Sequence, residues 1–242
     1  MARRKTKKKL NLFAKILLLL VVIIGLIFFF QVKRSKYIEN AQIPDQIKNM
    51  VKNNPESYEL IGDLNKINHS PENINIEGDM ENPVPLFIQW DQRWGMLDYN
   101  DSYLATDGCG PTSLSMVYVG LTKDQTMNPY RMGKYFEENG WAINGVGTAW
   151  KALEEGANWL GLKYNLVDGS ESMMKYELDN GKLLIISVRK GDFTSTGHLM
   201  VVRGYEGSNF IINDPNSRNN SNKKWSYERL APQIVQVWSY IN

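Results

Sequence analysis

Charge vanishes between Ile16 and Phe30. With Leu12 to Ala14 and Val32 the apolar stretch reaches about 20 residues, enough for one helix across a bilayer if Lys15 reaches back to the interface. Residues 37–82 are polar and rich in Asn, broken by two short amphipathic patterns. Pro44 to Val51 predicts a helix with proline in its first turn, stopping near Asn53-Asn54-Pro55, and Glu56 to Leu64 predicts another. Ile43, Ile47, Met50, Val51, Leu60 and Ile61 give these segments apolar faces, which favours an arm packed on a body over a free stalk. Residues 66–82 read as an irregular connector, with His69 as a solvated loop histidine.

From Val84 the pattern is that of a globular body. Residues 84–95 are extended and run into a turn, with Trp90 and Trp94 as core or groove-wall residues. Helical spacing follows in Leu114, Val117, Tyr118 and Leu121, opened by Pro111 and ending near Gly120. Asn128 and Pro129 start a helix that Gly140 stops, Thr148 opens one that Gly161 stops, and a fourth covers about Ser170 to Leu178. The period then changes. Leu183 to Val188, His198 to Tyr205, Asn209 to Asp214 and Gln233 to Tyr240 read as strands, with Lys163 to Val167 as an added edge. Helices first and an antiparallel sheet second predict an α+β body rather than repeating βαβ units.

Composition divides the 242 residues into a basic tail and transmembrane anchor at 1–36, an arm at 37–82 and a body at 83–242. The formal charge of +2 hides an asymmetry. Ten of the 28 Lys and Arg lie in 1–36, which leaves 18 against 26 acidic residues in 37–242, a net of −8. An acidic body without a basic cluster argues against nucleic acid as a partner. The basic tail ahead of the apolar run places the N-terminus in the cytoplasm and the body outside it. A cleaved signal peptide is the competing reading. Phe28 to Val32 offer no small-x-small cleavage pattern, so the expectation is an uncleaved signal anchor in the cell membrane.

That topology sharpens the meaning of Cys109, the single cysteine. Outside the cell cysteines are used in pairs, and a lone thiol is an oxidation liability. Cys109 lies between Gly108 and Gly110 at a helix start, where the dipole favours the thiolate and the glycines leave room for another backbone or a substrate to approach. Asp107 opposes this if its carboxylate points inward. A thiol nucleophile needs a base, and the body offers one histidine, His198, opening a strand behind the loop 191–196. Asp214 can orient that ring. His198, Met200, Val202 and Phe210, Ile212, Asp214 share a sheet face if the loop joining their strands has an odd number of residues. No His, Cys and Asp cluster suggests a metal, and no cofactor is expected.

Gln-x-Asp-x-Arg-Trp-Gly at 89–95, Gly-Cys-Gly-Pro-Thr at 108–112, Gly-His-Leu-Met-Val-Val at 197–202 and Asp-Pro at 214–215 resemble papain-like cysteine peptidases. More narrowly, they resemble the secreted relatives of bacteriocin double-glycine leader peptidases. The resemblance implies a papain-like fold, with Cys109 on a helical lobe and His198 and Asp214 on the sheet. It also implies a glutamine that helps stabilise the oxyanion, matched by Gln89, with Gln92 as the fallback. Transporter-linked members carry that glutamine a few residues before the cysteine. Here Tyr103 and Leu104 stand there, so Gln89 serves only if residues 95–106 fold back. The chain has no transporter portion, so leader processing is not implied. The expectation is an extracytoplasmic, membrane-anchored cysteine peptidase acting on peptides or proteins, with cell-wall peptides among the candidate substrates. Peptidoglycan peptide hydrolysis, acyl transfer by the same residues, and a non-catalytic peptide-binding module are the alternatives.

Overall fold

The structure, a computed structural model, describes residues 12–68, 70 and 74–242, so His69 lies outside the described residues. The chain divides into two compact units, Met1–Lys48 and Asn49–Asn242. In the first, helix α1 (Leu12–Asn40) holds the apolar run, with its side chains largely exposed. Its 29 residues extend about 44 Å. Among the described residues it is the one helix long and apolar enough to cross a membrane. Helix α2 (Asp45–Asn53) follows Pro44 and ends where Asn54-Pro55 forbids continuation.

The second unit begins with the end of α2 and a short helix, α3 (Tyr58–Gly62). Val51, Leu60 and Ile61 are buried, and Gln92 Nε2 donates to the carbonyls of Glu59, Leu60 and Asp63, each at 3.1 Å. Residues 49–63 are therefore a packed arm and not a free stalk. The connector is fixed through Arg93, which pairs with Asp79 and Asp91 and lies over the Trp94 ring.

Residues 95–106 do fold back. Strand β1 (Asp98–Tyr99) pairs with β2 (Ser102–Tyr103) across Asn100 and Asp101, both with φ near +57°, a conformation that Asn and Asp tolerate. A single helical turn, α4 (Leu104–Asp107), leads into the central helix α5 (Cys109–Thr122). Residues Gly110 to Val117 of α5 are all buried, so the helix is surrounded rather than amphipathic. Helix α6 (Pro129–Glu138) is capped by the Asn128 side chain and ends before Gly140, whose φ is +70°. A small hairpin of β3 (Ala142–Ile143) and β4 (Gly147–Thr148) precedes α7 (Trp150–Trp159). The expected start at Thr148 is thus taken by a strand, and the helix opens two residues later.

The remaining elements build one antiparallel sheet. Its strands are β5 (Lys163–Val167), β6 (Leu183–Arg189), β7 (Gly197–Glu206), β8 (Asn209–Asn213), β9 (Lys224–Ser226) and β10 (Ile234–Ile241), in the spatial order β5-β10-β6-β7-β8-β9. Helix α8 (Glu171–Asp179) and two short turns, α9 (Arg218–Ser221) and α10 (Tyr227–Leu230), complete it. The expected α+β architecture is observed, with the β5 edge where the sequence put it. Both faces are covered. Ile185, Leu199 and Val201 pack with residues of α5, α6 and α7, whereas Ile186, Met200 and Val202 pack with Met174 of α8 and Leu230 of α10. Burial on both sides explains why β6 reads as an unbroken apolar run.

The β7–β8 register brings about the shared face by a route other than an odd loop. Glu206 pairs with Asn209, so the loop is two residues, Gly207 and Ser208, an even number. The ladder then slips between Val202 and Gly204, leaving Arg203 as the extra residue of a β-bulge. Below the bulge Val202 faces Ile212, and Tyr205, Val202, Met200, Phe210 and Ile212 all pack in one cluster. The odd residue is therefore inside the strand rather than in the loop, and Asp214 falls on the alternation that carries His198.

Candidate active site

Cys109 opens α5 and is partly exposed. Gly108 precedes it as N-cap without a side-chain cap, so the positive end of the helix is left to the sulfur and whatever binds beside it. The flanking glycines serve packing more than access. A Cβ on Gly108 would lie 2.3 Å from the Leu104 carbonyl oxygen, and one on Gly110 would lie 2.1 Å from Thr148 Oγ1. Thr148 is β-branched and stiff, so Gly110→Ala is expected to lower stability by about 1–3 kcal/mol through overpacking. A thermal melt against the parent chain checks this.

One turn into α5, Ser113 Oγ donates to the Leu199 carbonyl at 3.2 Å, tying the cysteine helix to the residue after His198. His198 is itself buried and its Nε2 lies 2.7 Å from Asp214 Oδ1. That leaves Nδ1 for the Cys109 side chain, with which the ring is also hydrogen bonded. Asp214, 1 % exposed, accepts further bonds from the Asn216 N–H at 2.8 Å and from Asn220 Nδ2 at 2.8 Å. Burial pulls the His198 ring toward neutrality, but the charge and hydrogen bond of Asp214, with those of Cys109, outweigh it and raise its pKa above the ordinary 6.5. Burial likewise pushes the Asp214 carboxyl up. The His198 charge and hydrogen bond, with those of Asn220 and Asn216, pull it further the other way, below the ordinary 3.8.

Gln89 reaches the same place from the fold-back of residues 95–106. Its N–H donates to the Pro215 carbonyl at 2.8 Å, and its Nε2 donates to the carbonyls of Ala105 at 2.8 Å and Thr106 at 3.4 Å. Gln92 is elsewhere, its amide donated to the arm. A cleft of about 610 Å³ contains Gln89, Cys109 and His198 together. One wall is Phe193 to Gly197, the loop ahead of His198. Asp192 braces that loop by bonds to Arg229 and Gln233, and Phe193 packs on Trp225 with centroids 4.4 Å apart and ring planes inclined by 51°. Another wall comes from Met50, Asn53, Asn54 and Asn216. Among the described residues, His198 and the Cys109 thiol are the ionisable side chains that line the cleft. Asn216, Asn220 and the arm residues were not legible as site residues. Asn213 to Asn216 reads as a turn sequence, and nothing in it or in the residues after it signals which amide meets a carboxylate. Among the described residues no group of three or more His, Cys, Asp or Glu is arranged to hold a metal.

A nucleophile, a base with an oriented ring and an amide donor in one cleft can carry out attack on a carbonyl. No curated protein matches the chain. Among solved structures, a candidate C39-like peptidase from Bacillus anthracis is 20 % identical, with 66 % of this chain and 94 % of that one covered and a TM-score of 0.45. The peptidase domain of Streptococcus ComA, a bi-functional ABC transporter of a quorum-sensing pathway, is 24 % identical, with coverage of 55 % and 90 % and a TM-score of 0.42. Residues 81–242 match the sequence model of the Peptidase_C39 like family, two thirds of the chain, and the protein belongs to that family, whose membership points to cysteine peptidase activity.

Proposed function

We propose that the chain is a membrane-anchored peptidase, held by α1 with its body outside the cytoplasm, that hydrolyses peptide bonds with Cys109 as nucleophile. The observation that carries this reading is the His198 Nε2 to Asp214 bond of 2.7 Å, which commits one ring nitrogen and turns the other to the thiol. His198 Nδ1 takes the Cys109 proton, and the imidazolium is stabilised by Asp214. The thiolate attacks the scissile carbonyl carbon. The oxygen that gains charge is met by the Cys109 N–H at the helix start and by Gln89 Nε2, whose long contact to Thr106 is the proton free to turn toward it. His198 returns its proton to the leaving amine. Water, deprotonated by the same ring, then releases the acyl group and restores the thiol.

Substrate chemistry follows from the walls. Thr194, Ser195, Thr196, Asn53, Asn54 and Asn216 offer hydrogen bonds without net charge, and Phe193 and Met50 offer apolar contact. These suit an extended polypeptide, uncharged next to the scissile bond.

The test is alkylation by iodoacetamide. Cys109 is the one cysteine, so every adduct reports on it. The full chain in detergent is expected to react fast from about pH 5 upward, and His198→Ala to slow the reaction tens of times at about pH 5.5. A rate that rises only near about pH 8.5, the same in both proteins, would sink the reading.

A further inference from the structure

The turn that holds Asp214 is itself held by residues outside the region that the family model matches. That region begins at residue 81. Upstream of it, Asn54 Nδ2 donates to the backbone and side-chain oxygens of Asn216 at 2.8 and 3.0 Å. Glu56 accepts the Ser217 hydroxyl on Oε1 at 2.5 Å and the Asn219 N–H on Oε2 at 3.0 Å. Ser217 Oγ in turn accepts the Asn220 N–H at 3.0 Å, and Asn220 Nδ2 donates to Asp214 Oδ2 at 2.8 Å. The other oxygen, Oδ1, holds His198.

Each link has a fixed direction. A carboxylate only accepts, so Glu56 takes the single hydroxyl proton of Ser217 and turns its lone pairs toward α9. The capped Asn220 then presents its amide to a buried carboxylate whose second oxygen has that amide as its side-chain donor. Removing the first link frees the Ser217 rotor, and with it the position of Asn220.

We propose that Glu56 is a positioning residue of the active site. Through Ser217 and Asn220 it fixes Asp214, and through Asp214 the angle of the His198 ring. The arm is then a working part of the peptidase and not only its tether. This rests on the reading of Cys109, His198 and Asp214 as the catalytic set.

The pH profile of Cys109 alkylation in the full chain tests it without a substrate. Glu56→Ala is expected to move the acid limb upward and lower the rate at about pH 5.5 by about three- to tenfold, with little change at about pH 9. Glu56→Gln keeps an acceptor for the Ser217 hydroxyl and is expected to recover most of the loss. Ser217→Ala cuts the same link from the body side, so it reads the role even if Glu56→Ala does not fold. It should move the limb as far as Glu56→Ala, and adding Glu56→Ala to it should move the limb no further. A lowered melting temperature with an unmoved limb, or additive shifts, overturns the positioning role alone. Slow labelling of the parent chain, indifferent to His198→Ala, overturns the catalytic reading and this proposal with it.

Discussion

Asp214→Ala is expected to reduce peptide hydrolysis by about 10²- to 10⁴-fold in kcat, because the ring it orients loses both its angle and the charge that favours imidazolium. His198 is buried, and burial alone drives it neutral. With Asp214 gone only Cys109 opposes that effect, and the balance shifts from the thiolate–imidazolium pair toward thiol and neutral imidazole. Stability should follow the same pair. His198 is raised, so its contribution is full below about pH 6.5 and fades as pH climbs through the raised value. Asp214 is depressed, so its contribution is full above about pH 3.8 and fades as pH falls through the lowered value. The melting temperature of the parent chain should therefore exceed that of Asp214→Ala by most between about pH 4 and pH 6.5, with the gap narrowing on both sides. A gap that does not vary with pH would mean that the carboxylate contributes packing and not charge. Cys109→Ala is the blank for the kinetic measurement.

Gln89→Ala is expected to lower kcat by about 10²- to 10³-fold with KM little changed, the signature of an interaction made mainly in the transition state. The residue does not touch the Cys–His pair through any bond described above, so the alkylation profile of Cys109 should stay where it is. That split separates oxyanion stabilisation from nucleophile activation. The substitution also frees the Ala105 and Thr106 carbonyls, at a cost of about 1–3 kcal/mol if neither finds another donor. A melt at the assay temperature guards against reading lost protein as lost catalysis. If kcat holds within about threefold, the oxyanion is met by the backbone alone and Gln89 is a brace for residues 105 and 106.

Much of the scaffold was legible because its signals are local. Pro111, Asn128-Pro129 and the apolar run at 183–188 each announce an element through the chemistry of a few adjacent residues. Cys109, His198 and Gln89 were legible because each is distinctive in its setting, a lone thiol, a lone body histidine and a motif glutamine. What failed was long-range. The glycines beside Cys109 predict room for another backbone or a substrate; the Leu104 backbone takes it at Gly108 and the Thr148 side chain at Gly110, and no local pattern tells a glycine which partner it admits. Thr148, expected to open a helix, is a strand residue for the same reason. The second and third contacts of Asp214 come from asparagines in a run of asparagines, and the arm that secures them lies some 160 residues upstream.

The bulge at Arg203 carries a rule about which lengths of chain can evolve here. His198 and Asp214 face each other because an even loop and one extra strand residue together make an odd count. Losing or gaining a single residue within the paired strands between them would send the carboxylate to the opposite side of the sheet unless a second slip restored the parity. A gain of two within a strand would not. Length changes inside these strands should therefore arrive in pairs, whereas the exposed Gly207-Ser208 tip can vary in sequence and in length while Glu206 still closes on Asn209.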